Sequence, residues 1–247
     1  MKQISFLLIV AFLAFQPTAL KADIRSDADS AYAREQYTEA IKLYEQVPVS
    51  AAVYYNIGNC HYRLNNLAQA ILFYERAHLL SPGNEDIRFN LSMARGKTVD
   101  KLVPRHEFFF VGWYRSLCNI MSVDAWAYLA IASLILGLVG LLLYVFLPLG
   151  RLRTLSMAIG IILLLVCAFS NLFAFSQRYA LEHRTGAIIM TNSGSVKSTP
   201  SDTGKDLFIL HEGTRVEITD DTLQGWFEVE LSDGKKGWIE RKHVEVI

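Results

Sequence analysis

The chain reads as a multi-domain membrane protein: an all-α region of helical hairpins, two transmembrane helices and a small all-β barrel. Three observations predict this. Two uncharged apolar runs, residues 125–149 and 154–177, flank a short basic turn at 150–153. Ahead of them, over residues 23–98, apolar side chains recur at helical i, i+3, i+4 intervals, and one nine-residue pattern appears twice. Behind them, residues 186–247 break into short runs of branched and aromatic residues divided by turns.

The 247 residues carry 24 basic and 24 acidic side chains, a formal net charge of zero. That balance argues against a nucleic-acid partner. Cys60, Cys118 and Cys167 lie far apart, with no CxxC spacing for a metal and no even-numbered disulfide framework. No metal and no cofactor are expected.

Residues 1–22 have the pattern of a secretory signal peptide. Lys2 supplies a minimal basic start, Ile4 to Phe15 is an apolar run too short for a comfortable span, and Ala22 offers a cleavage residue before Asp23. An uncleaved anchor is the alternative, and it sends the following chain to the same side.

Over residues 23–98 the chain repeats. The stretch from Tyr37 to Glu45 aligns with Leu67 to Glu75, thirty residues later. Residues 51–84 read as one whole unit: Tyr54, Ile57, Gly58 and Tyr62 mark a first helix, Ala70, Tyr74 and Ala77 a second, and Pro82 the stop. Gly58 and Ala70 are small where two helices should cross. This pattern resembles the tetratricopeptide repeat almost position by position. A third opening follows at Asp86 to Leu91 and fades through Gly96 and Lys97. So short an array stands near the minimum for independent stability, which suggests that a partner completes it. The resemblance implies a concave binding face made by the first helices, and there we place Tyr55, Asn59, Tyr62, Arg63, Phe89 and Met93. Packing between neighbouring helices is the competing role for Tyr55 and Tyr62.

Residues 99–124 form a juxtamembrane segment. The run Phe108 to Tyr114 is too aromatic for water and too short to span, so it reads as an interfacial helix in contact with membrane lipid. A protein contact within the membrane plane is the other reading.

Each of the two apolar runs is long enough to cross a hydrocarbon core roughly 30 Å thick at about 1.5 Å per residue. Threading Arg151 and Arg153 through that core would cost roughly 2.5 to 3.5 kcal/mol each, so they belong in the turn. A hairpin leaves everything before and after it on one side. Loop charge does not decide which side, because Arg115, Arg178 and Arg184 flank the opposite end. The leader does, placing both soluble regions in the periplasm and only the 150–153 turn in the cytoplasm.

In the last region, residues 187–190, 216–219, 226–231 and 238–239 read as strands, and Asp233-Gly234 as a hairpin turn. Leu210-His211-Glu212-Gly213-Thr214, Gly225-Trp226-Phe227-Glu228-Val229 and Asp233-Gly234-Lys235-Lys236-Gly237-Trp238-Ile239 resemble the signature of the bacterial SH3-like domain. That resemblance implies a small barrel, commonly one that binds cell-wall or protein ligands. Trp226 and Trp238 are the candidate ligand residues, with packing inside the fold as their other role.

There is no HExxH, no GxSxG, no phosphate-cradling glycine loop and no dinucleotide fingerprint. The six histidines are scattered, and adjacent Cys60 and His61 point in different directions on a helix. No catalytic activity is expected. The module order as a whole is similar to the E-type proteins of the Bacteroides aerotolerance (Bat) operon family. That resemblance implies a non-enzymatic inner-membrane scaffold working with other membrane proteins, among them Bat proteins with von Willebrand A domains. A stand-alone anchor that holds peptidoglycan through the barrel is the alternative.

Overall fold

The computed structural model describes residues 24–102 and 108–247. The expected leader at 1–22 and part of the 99–124 segment lie outside the described residues. The chain divides into two compact units, one holding the repeat helices and the barrel, the other the apolar hairpin.

In the first unit, helices α1 (residues 24–33), α2 (Tyr37–Tyr44), α3 (Ala51–Arg63), α4 (Leu67–Leu80) and α5 (Glu85–Arg95) form two antiparallel pairs and a fifth helix. The thirty-residue offset seen in the sequence reappears as backbone geometry. Glu35 and Asn65 sit in the left-handed region at φ 62° and 59°, one at each turn between paired helices. Just beyond them, the Gln36 N–H reaches the Ala31 carbonyl and the Asn66 N–H the His61 carbonyl, both at 2.9 Å. These bonds satisfy carbonyls that a helix end otherwise orphans. Ser50 caps α3 by accepting the Val53 N–H at 3.2 Å.

Ala28, Ala31, Ala40, Tyr44, Val53, Ile57 and Cys60 pack between the first three helices. Burial pushes the Cys60 thiol up to about 12, which leaves it protonated and inert at neutral pH. Gly58 is small for a reason the geometry makes explicit: a Cβ there would lie 2.7 Å from the Tyr74 ring. Fully buried Ala70 lies on the same helix as Tyr74, one turn earlier.

The barrel comprises β1 (Gly186–Ile189), β2 (Ser193–Lys197), β3 (Asp206–His211), β4 (Arg215–Asp220), β5 (Trp226–Glu230), β6 (Lys236–Glu240) and β7 (Val244–Val246). All neighbours are antiparallel, in the order β3-β2-β6-β5-β4-β1-β7. Strands β2, β3 and β7 add to the runs legible in the sequence. Ala187, Ile189, Val196, Leu210, Val216, Phe227, Val229 and Ile239 point inward and form the core. Gly234, at φ 87°, turns β5 into β6, and the Asp233 carboxylate accepts the Lys235 N–H at 3.0 Å.

In the second unit, α6 (Phe109–Cys118) leads to two long helices, α7 (Val123–Phe146) and α8 (Arg151–Glu182). Both long helices are extended and apolar enough to cross a membrane. The basic turn is smaller than the sequence suggests. Helix α8 already begins at Arg151, so Arg151 and Arg153 occupy its first turn rather than the loop. Leu147 to Gly150 suffice for the reversal, because Pro148 cannot continue α7 and Gly150 adopts φ 153°. The Arg153 guanidinium then stacks 4.6 Å from the Tyr144 ring centre on α7. At its other end α8 runs past residue 177 to Glu182, aided by an Arg178–Glu182 pair at 2.9 Å.

The two long helices meet through small residues: Ala130, Ser133, Gly137 and Gly140 on α7, and Gly160 on α8. A Cβ on Gly140 would come within 3.0 Å of the Gly160 Cα. The end of α6 is tied to both: Cys118 O accepts from Trp126 Nε1 at 2.9 Å and from Gln177 Nε2 at 2.6 Å.

Candidate functional site

On the repeat, the polar groups of successive helices follow a rule. The hydroxyl of Tyr44 donates to the Asp29 carboxylate at 2.5 Å, and the hydroxyl of Tyr74 donates to Asn59 Oδ1 at 2.7 Å. Both bonds join residues fifteen apart, from a second helix back to its own first helix. An asparagine of the next repeat then reaches in. Asn56 Nδ2 donates to the Tyr44 hydroxyl at 3.2 Å, and Asn90 Nδ2 approaches Asn59 Oδ1 at 3.0 Å and the Tyr55 hydroxyl at 2.9 Å. Burial pushes the Tyr44 and Tyr74 phenols upward, so both remain neutral donors.

This ladder decides what the expected face can offer. Tyr55, Asn59 and Asn90 are brought together, but their hydrogen bonds run to one another and to Tyr74. Tyr55 is half-buried and stacks at 5.9 Å on Tyr74, and Asn59 Oδ1 already accepts from two donors. Tyr62 is half-buried under the Lys97 ammonium, 4.3 Å from its ring centre. Arg63 is exposed, with the Tyr32 phenol of α1 as a neighbour of its guanidinium. Phe89 and Met93, one turn apart on α5, are the apolar members left to solvent, at 66% and 39% exposure. Sequence reasoning missed Asn90, Lys97 and Tyr32. The 34-residue period that separates Asn56 from Asn90 was the signal for the first.

On the barrel, the strand register settles which way the tryptophans face. Trp226 lies opposite Glu240, and Trp238 lies opposite Glu228 on one side and Lys197 on the other. Their neighbours Phe227 and Ile239 are the buried ones. Since a strand alternates faces, Trp226 and Trp238 share the outer surface of the sheet as a diagonal pair. Both are half-buried there, among the stems of charged residues rather than within the core.

Residues 51–84 match the model of the family described as Tetratricopeptide repeat. Residues 192–245 match that of the family described as Bacterial SH3 domain. No curated protein matches the chain. The first match covers α3, α4 and the turn that follows; the second covers the barrel from the start of β2 into β7. Together they give the chain two modules of kinds that bind proteins or peptidoglycan.

Proposed function

We propose that this chain is a non-enzymatic, membrane-anchored scaffold whose repeat recruits other membrane proteins. The observation that carries the reading is the Phe89–Met93 strip on α5, apolar and open to solvent; on α3, Arg63 adds an exposed cation. Large apolar side chains and arginines are the groups that dominate interfaces. Anchoring is supported by α7 and α8, whose outward residues are overwhelmingly leucine, isoleucine, valine and phenylalanine. The leader expected at the N-terminus, together with a membrane-crossing hairpin, supports a bacterial inner-membrane location with both soluble regions periplasmic. The module order resembles the Bat E-type proteins, which supports a place in an aerotolerance or envelope-stress complex, with von Willebrand A proteins as the partner class.

The test is co-purification from detergent-solubilised membranes. Losing a central anchor costs at least about 2 kcal/mol, roughly thirtyfold in affinity. Phe89→Ala combined with Arg63→Ala should therefore remove the membrane partner while the repeat keeps its helical circular dichroism. Retention of the partner at unchanged salt would sink the assignment of this face.

Peptidoglycan binding is the second reading, and the outward placement of Trp226 and Trp238 favours it. Here the double change to alanine should abolish sedimentation with purified cell-wall sacculi and leave co-purification of the membrane partner untouched.

A further inference from the structure

The repeat array ends on a helix without a mate. Helix α5 corresponds to the first helix of a third repeat, and the described helices that follow it before the barrel, α6 to α8, belong to the other unit. An array that stops this way leaves an apolar face open, which is why terminal units of repeat proteins need a cap. Here that face is filled. Ile188 of β1 and Ile247, both buried, belong to one apolar cluster with Ile71 and Leu72 of α4 and Leu91 and Ala94 of α5.

Polar contacts fix the same junction at two places, and a close apolar approach marks a third. Arg76 of α4 donates to the Val246 carbonyl at 2.7 Å and pairs with the Glu245 carboxylate at 3.1 Å, holding the outer strand β7. The irregular segment after α5 carries Asp100 to the turn between β3 and β4. There one carboxylate oxygen accepts the His211 backbone N–H at 2.8 Å and the Thr214 hydroxyl at 2.6 Å, and the other lies 2.8 Å from His211 Nδ1. Gly213, at the tip of that turn, has φ 81°, and a Cβ on it would meet Ile71 Cδ1 at 2.9 Å. The close approach and the left-handed backbone both require glycine.

From this we infer that the barrel is the C-terminal cap of the repeat array, standing where the second helix of the third repeat would pack. The array is thus completed within the chain itself and not by a partner at that end. The capped end is closed to stacking, so a partner reaches the repeat through the α3 and α5 faces instead. The barrel keeps its outer sheet, with Trp226 and Trp238, on a different surface from the strands that seal the repeat.

Hydrogen exchange followed by mass spectrometry on the full-length protein in detergent tests the assignment. Substitutions are placed on the barrel and read on the helices. Ile247→Asp should speed exchange of α5 amides at least tenfold, while α7 is unchanged. The milder Thr214→Ala and Glu245→Ala should each give a two- to fivefold increase in α5, which keeps the test open if Ile247→Asp fails to accumulate. Faster exchange confined to the barrel, with α5 protection unaltered in all three variants, would show two merely adjoining modules and overturn the cap.

Discussion

Two helix pairs in this molecule solve the same packing problem in opposite ways. In the repeat, α3 and α4 approach at Gly58, and the space left by the missing side chain receives the Tyr74 ring, which also hands its hydroxyl to Asn59. In the hairpin, α7 and α8 approach at Gly137, Gly140 and Gly160; at Gly140 the space receives backbone, glycine against glycine, while Gly137 also admits the Leu164 side chain. The outer surfaces differ in the same sense. The repeat exposes charges, whereas Leu134, Ile135, Leu136, Leu142 and Leu143 of α7 all lie exposed. Water rewards the burial of a large ring, so a glycine serves as a socket. In the lipid that the proposed anchoring puts around α7 and α8 there is no such reward, so a glycine there serves to bring backbones into contact.

The comparison breaks first at Gly58. Replacing it with leucine drives the Tyr74 ring out of its socket and separates it from Asn59. Overpacking of this kind costs about 1 to 3 kcal/mol, and the lost hydrogen bond about 1 more. A thermal melt of the full-length protein, followed by far-ultraviolet circular dichroism, should show the repeat transition lowered by about 10 °C. An unchanged midpoint would mean that the register of α3 on α4 is wrong.

A second test uses equal exposure with unequal surroundings. Leu136 is 56% exposed near the middle of α7 and Phe89 is 66% exposed on α5. Leu136→Arg should cost roughly 2.5 to 3.5 kcal/mol of membrane insertion, seen as loss from carbonate-washed membranes. Phe89→Arg should leave repeat stability within about 0.5 kcal/mol. Full membrane retention of Leu136→Arg would take the hairpin out of the lipid.

The hairpin contact itself should be weaker than the socket. Gly140→Leu forces the backbones apart, with an expected loss of about 1 to 2 kcal/mol in a denaturing-detergent titration. Ala168→Leu, on an exposed position of α8, is the matched change that should do nothing.

These regions were not equally legible. Gly58, Tyr74 and Pro82 announce a helix pair because each is demanded by local geometry at a fixed spacing. The apolar runs announce the hairpin by length alone, but the helix start at Arg151 escaped, since arginine is a good helix former and Pro148 with Gly150 already makes the turn. The direction of Trp226 and Trp238 needed the β5–β6 register, which an alternating run of large residues leaves two-valued. Least visible was the junction. Asp100 meets His211 and Thr214 across 111 and 114 residues, and Arg76 meets Glu245 across 169, with no motif linking them. The expectation that a partner completes the array followed from reading the repeat by itself. The structure instead puts Ile188 and Ile247 of the same chain there.

The smallest effect should be one of pH, and it sharpens the contrast between a junction held in part by a carboxylate and a hairpin that meets through small residues. Burial alone would push the Asp100 carboxyl up, but the donors from Thr214 and His211 outweigh it and hold the group below the usual carboxylate range. Arg95, Lys101, Arg215, Glu217 and Glu230 line the same recess and complete its charge environment. A carboxylate whose folded value is depressed adds stability above its unfolded value, near 3.9, and loses it as pH falls through the folded value. The Asp100 contribution is therefore present at neutral pH, begins to fall near the unfolded value and is lost as pH drops through the lower folded value. Asp206, Asp220, Asp233 and Glu240 are also held low and act in the same direction, so the informative quantity is a difference. Asp100→Asn should lower stability by about 1 kcal/mol at pH 7, as charge-assisted bonds become neutral ones, and by less at pH 3. Melts of the wild type and the variant at the two values measure it. A gap that persists undiminished at pH 3 would mean that the shape of the Asp100 side chain, and not its charge, holds the turn.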